Sequence, residues 1–221
     1  MLAPELSVQI KKFKQLELPY ALEVIGERFD GVLDILPSGS FIYGGVVRDL
    51  IASMPLEGDL DVALIAEKYQ YTYNMLSNSP RWIQIDSPRK HRADYKRPSE
   101  RVISDVAFFK DIDGVEVQLI MVRESDAAAK YIDGVPVSIV NLAQAVDIRC
   151  CGLVMDLNGI AYEIVSDAVS DCISRKLIFN ELLDPKMVFK NIVGQRIEKF
   201  VKRGWRNEIT DLTKFREKEN K

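Results

Sequence analysis

The sequence predicts a mixed α/β fold (α+β) that ends in a basic helix. Up to about residue 180, short runs rich in β-branched and aromatic residues alternate with segments of helical periodicity. A separate amphipathic stretch begins near Pro185, a residue type that favours the first turn of a helix. Of the 221 residues, 47% are hydrophobic and 29% charged, which is typical of a globular protein of one domain with at most a small appendix.

The first half of the chain alternates helices and strands. Residues 8–36 are expected to be helical, with an interruption at Pro19, because apolar residues from Leu18 to Phe29 recur every three or four positions. After a turn at 37–39, the pattern predicts a strand at 41–43, a helix at 46–53, a strand at 59–65, a helix at 66–77 and a strand at 81–86. Residues 87–100 are polar and basic and contain two prolines, which indicates an exposed loop.

The second half begins with a hairpin. Residues 101–110 and 115–122 form β-rich runs, and the Asp113-Gly114 pair between them is a strong turn signal. The pattern then predicts a turn at 133–137, a helix at 142–149, a short apolar stretch at 151–155, a turn at 156–159 that leads into 161–165, and an amphipathic helix from Pro185. The end of the chain, residues 215–221, is expected to be frayed.

Composition excludes several classes of function. No apolar stretch has the roughly 18 residues that span a membrane, and the N-terminus lacks a secretory signal, so no membrane partner is expected. The net charge of −3 argues against non-specific coating of nucleic acid. The three cysteines do not form a disulfide framework, which favours a reducing cytoplasm and thiols that fill the core. Because His91 is the single histidine and is expected in an exposed loop, carboxylates and Mg²⁺ are the favoured catalytic groups.

The most informative segment is 41–65, in which a strand, two glycines, a helix and a second strand follow one another. Asp59 and Asp61 alternate along the second strand and therefore share a face, where two carboxylates can hold a divalent metal. Gly44 and Gly45 at a helix start allow a phosphate chain to approach backbone N–H groups. Together these features indicate metal-dependent phosphoryl or nucleotidyl transfer.

A third carboxylate is expected to complete the metal site. Glu116, in an apolar strand of the following hairpin, is the candidate, and Asp105 in its partner strand is the reserve. Each of these carboxylates also has a non-functional interpretation. Asp59 and Asp61 would then be acids on the protein surface, and Glu116 would be a strand residue that faces solvent.

The segment 44–49 (GGVVRD) with 59–61 (DLD) resembles the GGxVRD and DxD motifs of the poly(A) polymerase head domain. It is most similar to the CCA-adding tRNA nucleotidyltransferases of the bacterial and eukaryotic type. Weaker similarities follow in the family's order, at 113–117 (DGVEV), 146–151 (VDIRCC), 155–159 (MDLNG), 171–175 (DCISR) and 183–190 (LDPKMVFK).

The resemblance implies a nucleotidyltransferase head with a small, mixed, twisted sheet of about five strands. It implies an N-terminal helical segment at 1–36, the head at 37–180, and a helical neck remnant with a basic tail at 181–221. Asp59, Asp61 and Glu116 would hold Mg²⁺ or Mn²⁺, and a nucleoside triphosphate would donate its nucleotide to a hydroxyl, such as the 3′ end of a tRNA-like RNA. The implied nucleotide-binding residues are Gly44, Gly45, Arg48, Asp147 and Arg149.

The departures from the family imply altered specificity. Ala145 and Val146 occupy the positions of two arginines, and Cys151 that of an asparagine. Leu183 and Met187 stand where the family has residues that hydrogen-bond the incoming base, so CCA specificity is expected to be altered or lost. The tRNA-gripping body and tail domains are expected to be missing. Two alternatives stay open: a catalytically weakened nucleotide-binding or effector protein, and transfer to a protein or small-molecule hydroxyl.

Structural roles compete with functional ones at several positions. Arg48 and Asp49 are expected to pair and hold the turn, although Arg48 could equally bind nucleotide, and for Arg149 a structural role is favoured over nucleotide binding. Asp184 is expected to cap a helix, and Lys190 to face solvent. The basic residues 89–97 form a loop that either contacts RNA or triphosphate, or is merely solvated.

Overall fold

The computed structural model describes residues 12–86, 102–123 and 130–217. Its strands are β1 (Lys14–Glu17), β2 (Phe41–Tyr43), β3 (Leu60–Leu64), β4 (Trp82–Ile85), β5 (Ile103–Asp111), β6 (Glu116–Val122), β7 (Tyr131–Ile132), β8 (Val135–Pro136), β9 (Leu153–Asp156), β10 (Ile160–Glu163), β11 (Lys176–Leu177) and β12 (Arg206–Asn207). Its α-helices are α1 (Ala21–Arg28), α2 (Val32–Ile35), α3 (Gly45–Ile51), α4 (Ala66–Ser77), α5 (Val137–Gln144), α6 (Ala168–Ile173) and α7 (Lys190–Lys202).

Eight strands form one mixed sheet in the order β1-β10-β9-β2-β3-β6-β5-β4. All neighbours are antiparallel except β3 and β6, which run parallel with Asp61 beside Gln118. The central strands β3 and β6 are largely buried, as their apolar sequences require. The mixed α/β prediction is therefore confirmed, and β3 and β6 lie at the centre of the sheet with their side chains alternating between its faces.

The two faces of the sheet have different roles. Helix α4 packs on one face through Tyr69, Thr72 and Leu76, against β6 and β4. On β5, Asp105 hydrogen-bonds Tyr69 on that face, so its neighbour Val106 points to the opposite face. That opposite face, together with α3 and α7, encloses the cavity described below.

The sheet is larger than the five strands expected, because the β9–β10 hairpin and β1 extend it beyond β2. Residues 14–17 were expected to be helical but form β1, an edge strand that pairs with β10 from Lys14 to Glu17. The helical residues of this region are those of α1 and α2, and pairing with a free strand edge decides the conformation of the residues before α1.

The helix expected at 142–149 lies earlier, because α5 begins after Pro136 and ends at Gln144. Asp147 and Arg149 consequently lie in an irregular segment and a short 3₁₀ turn, Arg149–Cys151. Another 3₁₀ turn, Pro185–Met187, precedes the last helix, and Asp184 caps it as expected by accepting a hydrogen bond from the Lys186 N–H. Helix α7 starts only at Lys190.

The C-terminal segment folds back onto the residues that precede α7 and onto its first residue. Phe215 is 1% exposed and packs edge-to-face against Phe179, with ring centroids 4.9 Å apart. Arg216 exchanges backbone hydrogen bonds with Val188 and Lys190, so the expectation of a frayed tail is wrong for these residues. The exposed Lys190 side chain pairs with Glu217 rather than standing alone in solvent.

A single cluster of buried residues draws on all three predicted segments, from Ile25 through Leu119 to Phe215. The boundaries at residues 36 and 180 therefore stay predictions. Among the described residues, no helix is long and apolar enough to cross a membrane. His91 and the basic loop 89–97 lie outside the described residues.

Candidate nucleotide site

A cavity of about 730 Å³ lies between the sheet, the start of α3 and helix α7. The sheet contributes residues of β2, β3, β5 and β6, and the irregular segment around Asp147 closes one side. Helix α7 contributes Gln195, Arg196, Lys199 and Arg203 next to its end, so the roof of the cavity is basic. Of the predicted site residues, Gly44, Gly45, Arg48, Asp59, Asp61 and Asp147 line this cavity.

Gly44 shapes the turn from β2 into α3. Its φ angle is +67°, a left-handed conformation that other residues adopt only with strain, and its N–H donates to the Leu153 carbonyl at 3.1 Å. The glycine therefore holds the turn against β9, and its own N–H is committed. The following N–H groups, at the start of α3, have no partner within the helix and point out of its N-terminus.

Asp59 and Asp61 both line the cavity, as their spacing predicts. Asp61 lies in β3 beside Tyr43 and is half-buried, whereas Asp59 precedes the strand and is exposed. The two carboxylates thus approach the cavity from one side of β3, with Asp61 the deeper of the two.

Glu116 and Asp105 do not join this pair. The register places Glu116 on the same face as Gln118 and Asp61, but its carboxylate binds the Lys110 ammonium at 3.1 Å and does not line the cavity. Asp105 lies on the opposite face with the Tyr69 hydroxyl at 3.0 Å. Within the described residues, no group of three His, Cys, Asp or Glu side chains is placed to hold a metal ion.

Arg48 and Asp49 form a buried ion pair, as expected, with Arg48 Nη2 at 2.6 Å from Asp49 Oδ1. The Arg48 guanidinium also stacks 4.6 Å from the centre of the Phe200 ring in α7. Arg203 reaches the other oxygen of Asp49 at 3.0 Å and donates to the Pro55 carbonyl at the same distance. These contacts fix the end of α7 against α3 and against the loop that leads to Asp59.

Asp147 is buried at the cavity wall and pairs with Arg196 of α7, whose Nη1 lies 2.7 Å from Oδ1. The Tyr43 phenol lies in the same polar region. Burial, followed by the nearby Asp61 carboxylate, raises the pKa of Tyr43 above its ordinary value, so the hydroxyl stays protonated at neutral pH. Asp147 can be identified as a candidate from the sequence because it lies in the motif at 146–151. Nothing in the sequence distinguishes Arg196 from the other basic residues of an amphipathic helix.

Arg149 does not line the cavity. Its guanidinium holds both oxygens of the buried Asp171, with Nε–Oδ2 and Nη2–Oδ1 distances of 2.6 and 2.9 Å. This bidentate pair ties the 3₁₀ turn to α6 and is the structural role that the sequence left open for Arg149.

The residues expected to face the base also lie elsewhere. Leu183 and Met187 do not line the cavity, whereas Gln195, Arg196 and Lys199 of α7 do. Helix α7, which covers the cavity, begins only at Lys190, after the segment that contains Leu183 and Met187. The expected change or loss of CCA specificity stays a prediction.

The three cysteines are buried free thiols, in agreement with the expected role as core-filling side chains. Cys151 also reaches the cavity wall, where Arg48 Nη1 lies 3.5 Å from its Sγ. Burial raises the pKa of the Cys150 thiol, and a hydrogen bond with Cys150 together with burial raises that of Cys151. Both thiols therefore stay protonated at neutral pH.

No protein family and no curated protein matches the chain by sequence. Solved structures of CCA-adding enzymes share its fold. A complex with CTP has a TM-score of 0.56 at 14% identity over 88% of this chain and 44% of that one. A complex with ATP has a TM-score of 0.56 at 12% identity over 88% and 43%.

The Thermotoga maritima CCA-adding enzyme in complex with tRNA has a TM-score of 0.54 at 14% identity, over 89% of this chain and 43% of that one. The chain thus spans less than half the length of the solved proteins that it matches. At these identities the likeness establishes the fold, which is that of the head region of CCA-adding enzymes.

Proposed function

We infer that the cavity binds a nucleoside triphosphate and that the protein is a metal-dependent nucleotidyltransferase acting on a hydroxyl, the 3′ end of an RNA. The observation that carries this proposal is the convergence of Asp59, Asp61 and the Gly44–Gly45 turn on one cavity under a basic helix. The shared fold adds support, since the solved relatives include complexes with CTP, ATP and tRNA.

The donor set fits one divalent cation shared with a triphosphate. Mg²⁺ commonly takes one or two protein carboxylates and completes its shell with water and substrate phosphates, so Asp59 and Asp61 suffice for it. When bound, Mg²⁺ or Mn²⁺ would neutralise phosphate charge and polarise the reacting oxygen. Glu116 would have to leave Lys110 before it could join them, so we assign the metal to Asp59 and Asp61.

The chain's own residues would hold the triphosphate in place. The start of α3 offers backbone N–H groups, and Lys199 and Arg196 place positive charge on the opposite side of the cavity. Arg196 is held by Asp147, so its guanidinium is positioned before any ligand arrives. In this arrangement the acceptor hydroxyl would attack the α-phosphate while pyrophosphate departs on the far side.

We further propose that nucleotide choice differs from that of the CCA-adding enzymes. Ala145 and Val146 line the cavity where the resemblance has two arginines, so two donors are replaced by apolar surface. A site that lacks a hydrogen-bonding group discriminates differently between bases, often by orders of magnitude.

Incorporation of label from each α-³²P nucleoside triphosphate into total cellular RNA, with Mg²⁺ or Mn²⁺, tests the proposal. Wild-type protein is expected to label RNA in a metal-dependent reaction, and Asp61→Asn is expected to reduce the rate by at least about 100-fold, because one ligand of the metal loses its charge. Glu116→Gln is the matched control, since it makes the same kind of change on the neighbouring strand outside the cavity. Undiminished transfer by Asp61→Asn would rule out the assignment.

One observation favours a second function, nucleotide binding without turnover. Among the described residues that line the cavity, Asp59 and Asp61 are not joined by a third His, Cys, Asp or Glu side chain placed to hold a metal ion with them. Calorimetry with Mn²⁺ and each triphosphate, run beside the incorporation assay, separates the two functions: binding without any labelled product from RNA, protein or small-molecule acceptors would indicate an effector protein.

A further inference from the structure

Gln118 lies directly beside Asp61. Strands β3 and β6 are parallel neighbours, and their register pairs these two residues. Adjacent strands are about 4.8 Å apart, and paired residues point to the same face, so the Gln118 carboxamide and the Asp61 carboxylate lie side by side. Both line the cavity.

The side-chain N–H₂ group of Gln118 has no hydrogen-bond acceptor among the described residues around it. On the other side it is paired in register with Phe108, and Ile120 is the next residue of β6 on the same face. Gln118 is 4% exposed, and within the described part of the chain its Nε2 has no hydrogen-bond partner. A buried N–H without an acceptor costs about 1–3 kcal/mol, and folded proteins keep few such groups.

The position of this donor matters chemically. A third acid next to Asp61 would strengthen a cation site, but a glutamine of the same shape brings a neutral N–H donor instead. Beside a carboxylate that is proposed to hold metal and triphosphate, such a donor is suited to an oxygen of the nucleotide itself. Because Nε2 is shielded from bulk water and Gln118 lines the cavity, a ligand group lodged deep in the cavity can supply its acceptor.

We propose that Gln118 is a nucleotide-binding residue that donates a hydrogen bond from Nε2 to an acceptor oxygen of the triphosphate or ribose held at Asp61. This rests on the proposed nucleotide site and adds a contact that the motifs do not contain. In the absence of ligand the unpaired amide lowers stability, and nucleotide binding satisfies it.

The test is a comparison of affinity and stability in Gln118→Met, which keeps the volume of the side chain and removes the donor. Calorimetry with ATP, CTP, GTP and UTP in Mn²⁺ should show affinity for the bound nucleotide reduced by about 10-fold, the loss of one hydrogen bond to a charged or polar oxygen. Urea unfolding without nucleotide should show equal or greater stability, because the unpaired buried amide is gone. Gln15→Met, on the exposed edge strand β1, is the matched control and should change neither.

The opposite pattern, reduced stability with unchanged affinity, would overturn the proposal and make Gln118 a structural residue. If wild-type protein binds none of the four triphosphates, both this inference and the proposed function fall. If wild type and Gln118→Met bind equally well, this inference falls alone. Binding without transfer would reject only the transfer step.

The oxygen that Gln118 contacts is identified with two further probes. If inorganic triphosphate distinguishes wild type from Gln118→Met as strongly as the nucleotide does, the partner is a phosphate oxygen. If 2′-deoxy or 3′-deoxy triphosphates abolish the difference, the partner is a ribose hydroxyl. Either result supports the hydrogen bond.

Discussion

Replacement of Asp49 by asparagine should destabilise the protein more than any surface charge change. Asp49 is 2% exposed and accepts from Arg48 Nε at 2.7 Å and from Arg203 Nη2 at 3.0 Å, through different oxygens. Asparagine has almost the same volume, so it creates no cavity. It leaves both guanidiniums in a poorly hydrated place without their shared counter-charge.

Loss of one partner from a buried ion pair costs about 3–5 kcal/mol. With an m-value of about 3 kcal/mol per M urea, the unfolding midpoint of Asp49→Asn should fall by about 1–1.7 M. The assay is urea unfolding followed by circular dichroism and by tryptophan fluorescence. Of the two tryptophans, Trp205 packs against Phe200 at the end of α7, so part of the fluorescence signal reports on the contact that Asp49 supports.

The matched control is Glu217→Gln, which removes the carboxylate of the Lys190–Glu217 pair. That pair has an N–O distance of 2.7 Å, close to those of Asp49, but the Glu217 side chain is 72% exposed. Exposed pairs contribute about 0–1 kcal/mol, so the control should unfold almost as the wild type does. If Asp49→Asn costs no more than this control, burial does not set the strength of the cluster and the reasoning is refuted.

The other predictions concern the backbone around the cavity. Gly44→Ala should destabilise by about 1–3 kcal/mol in urea unfolding because of the positive φ, whereas Gly45→Ala in the adjoining helix should be neutral or stabilising; equal effects at the two positions would contradict the strain argument. Asn180→Leu should cost about 3 kcal/mol, because Asn180 is 0% exposed and its amide donates to the Gln144 and Val146 carbonyls at 2.8 Å. A thermal unfolding midpoint within 1 °C of wild type would show that water replaces those bonds.

Much of the fold follows from local patterns. The alternation of β-branched runs with amphipathic segments gives the elements from β2 to β6 within a residue or two, since each carries its own period and turn signals. Strand β1 was not predictable in this way. Its residues have no strong preference, and they become a strand because β10 presents an unpaired edge to them.

The candidate site was likewise partly visible in the sequence. Asp59 and Asp61 are two residues apart and share a face whatever surrounds them, and Gly44 is required by a turn that the chain must make. The sequence could not decide the role of Glu116, because it is the register of the β5–β6 hairpin that places Lys110 beside it. The role of Arg149 could not be predicted either, because its partner Asp171 is 22 residues away in the chain.

The sequence by itself thus determined which chemical groups the protein carries, which of them are neighbours along one strand, and where the backbone turns. Those properties depend on alternation, helical period and the conformational freedom of glycine, all of which act over a few residues. Only the tertiary structure decided that Gln118 lies beside Asp61 and that Arg196 and Arg203 close the cavity. Strand register and helix docking are set by burial of the whole core, so the partners of a buried polar group cannot be read from its neighbours in the chain.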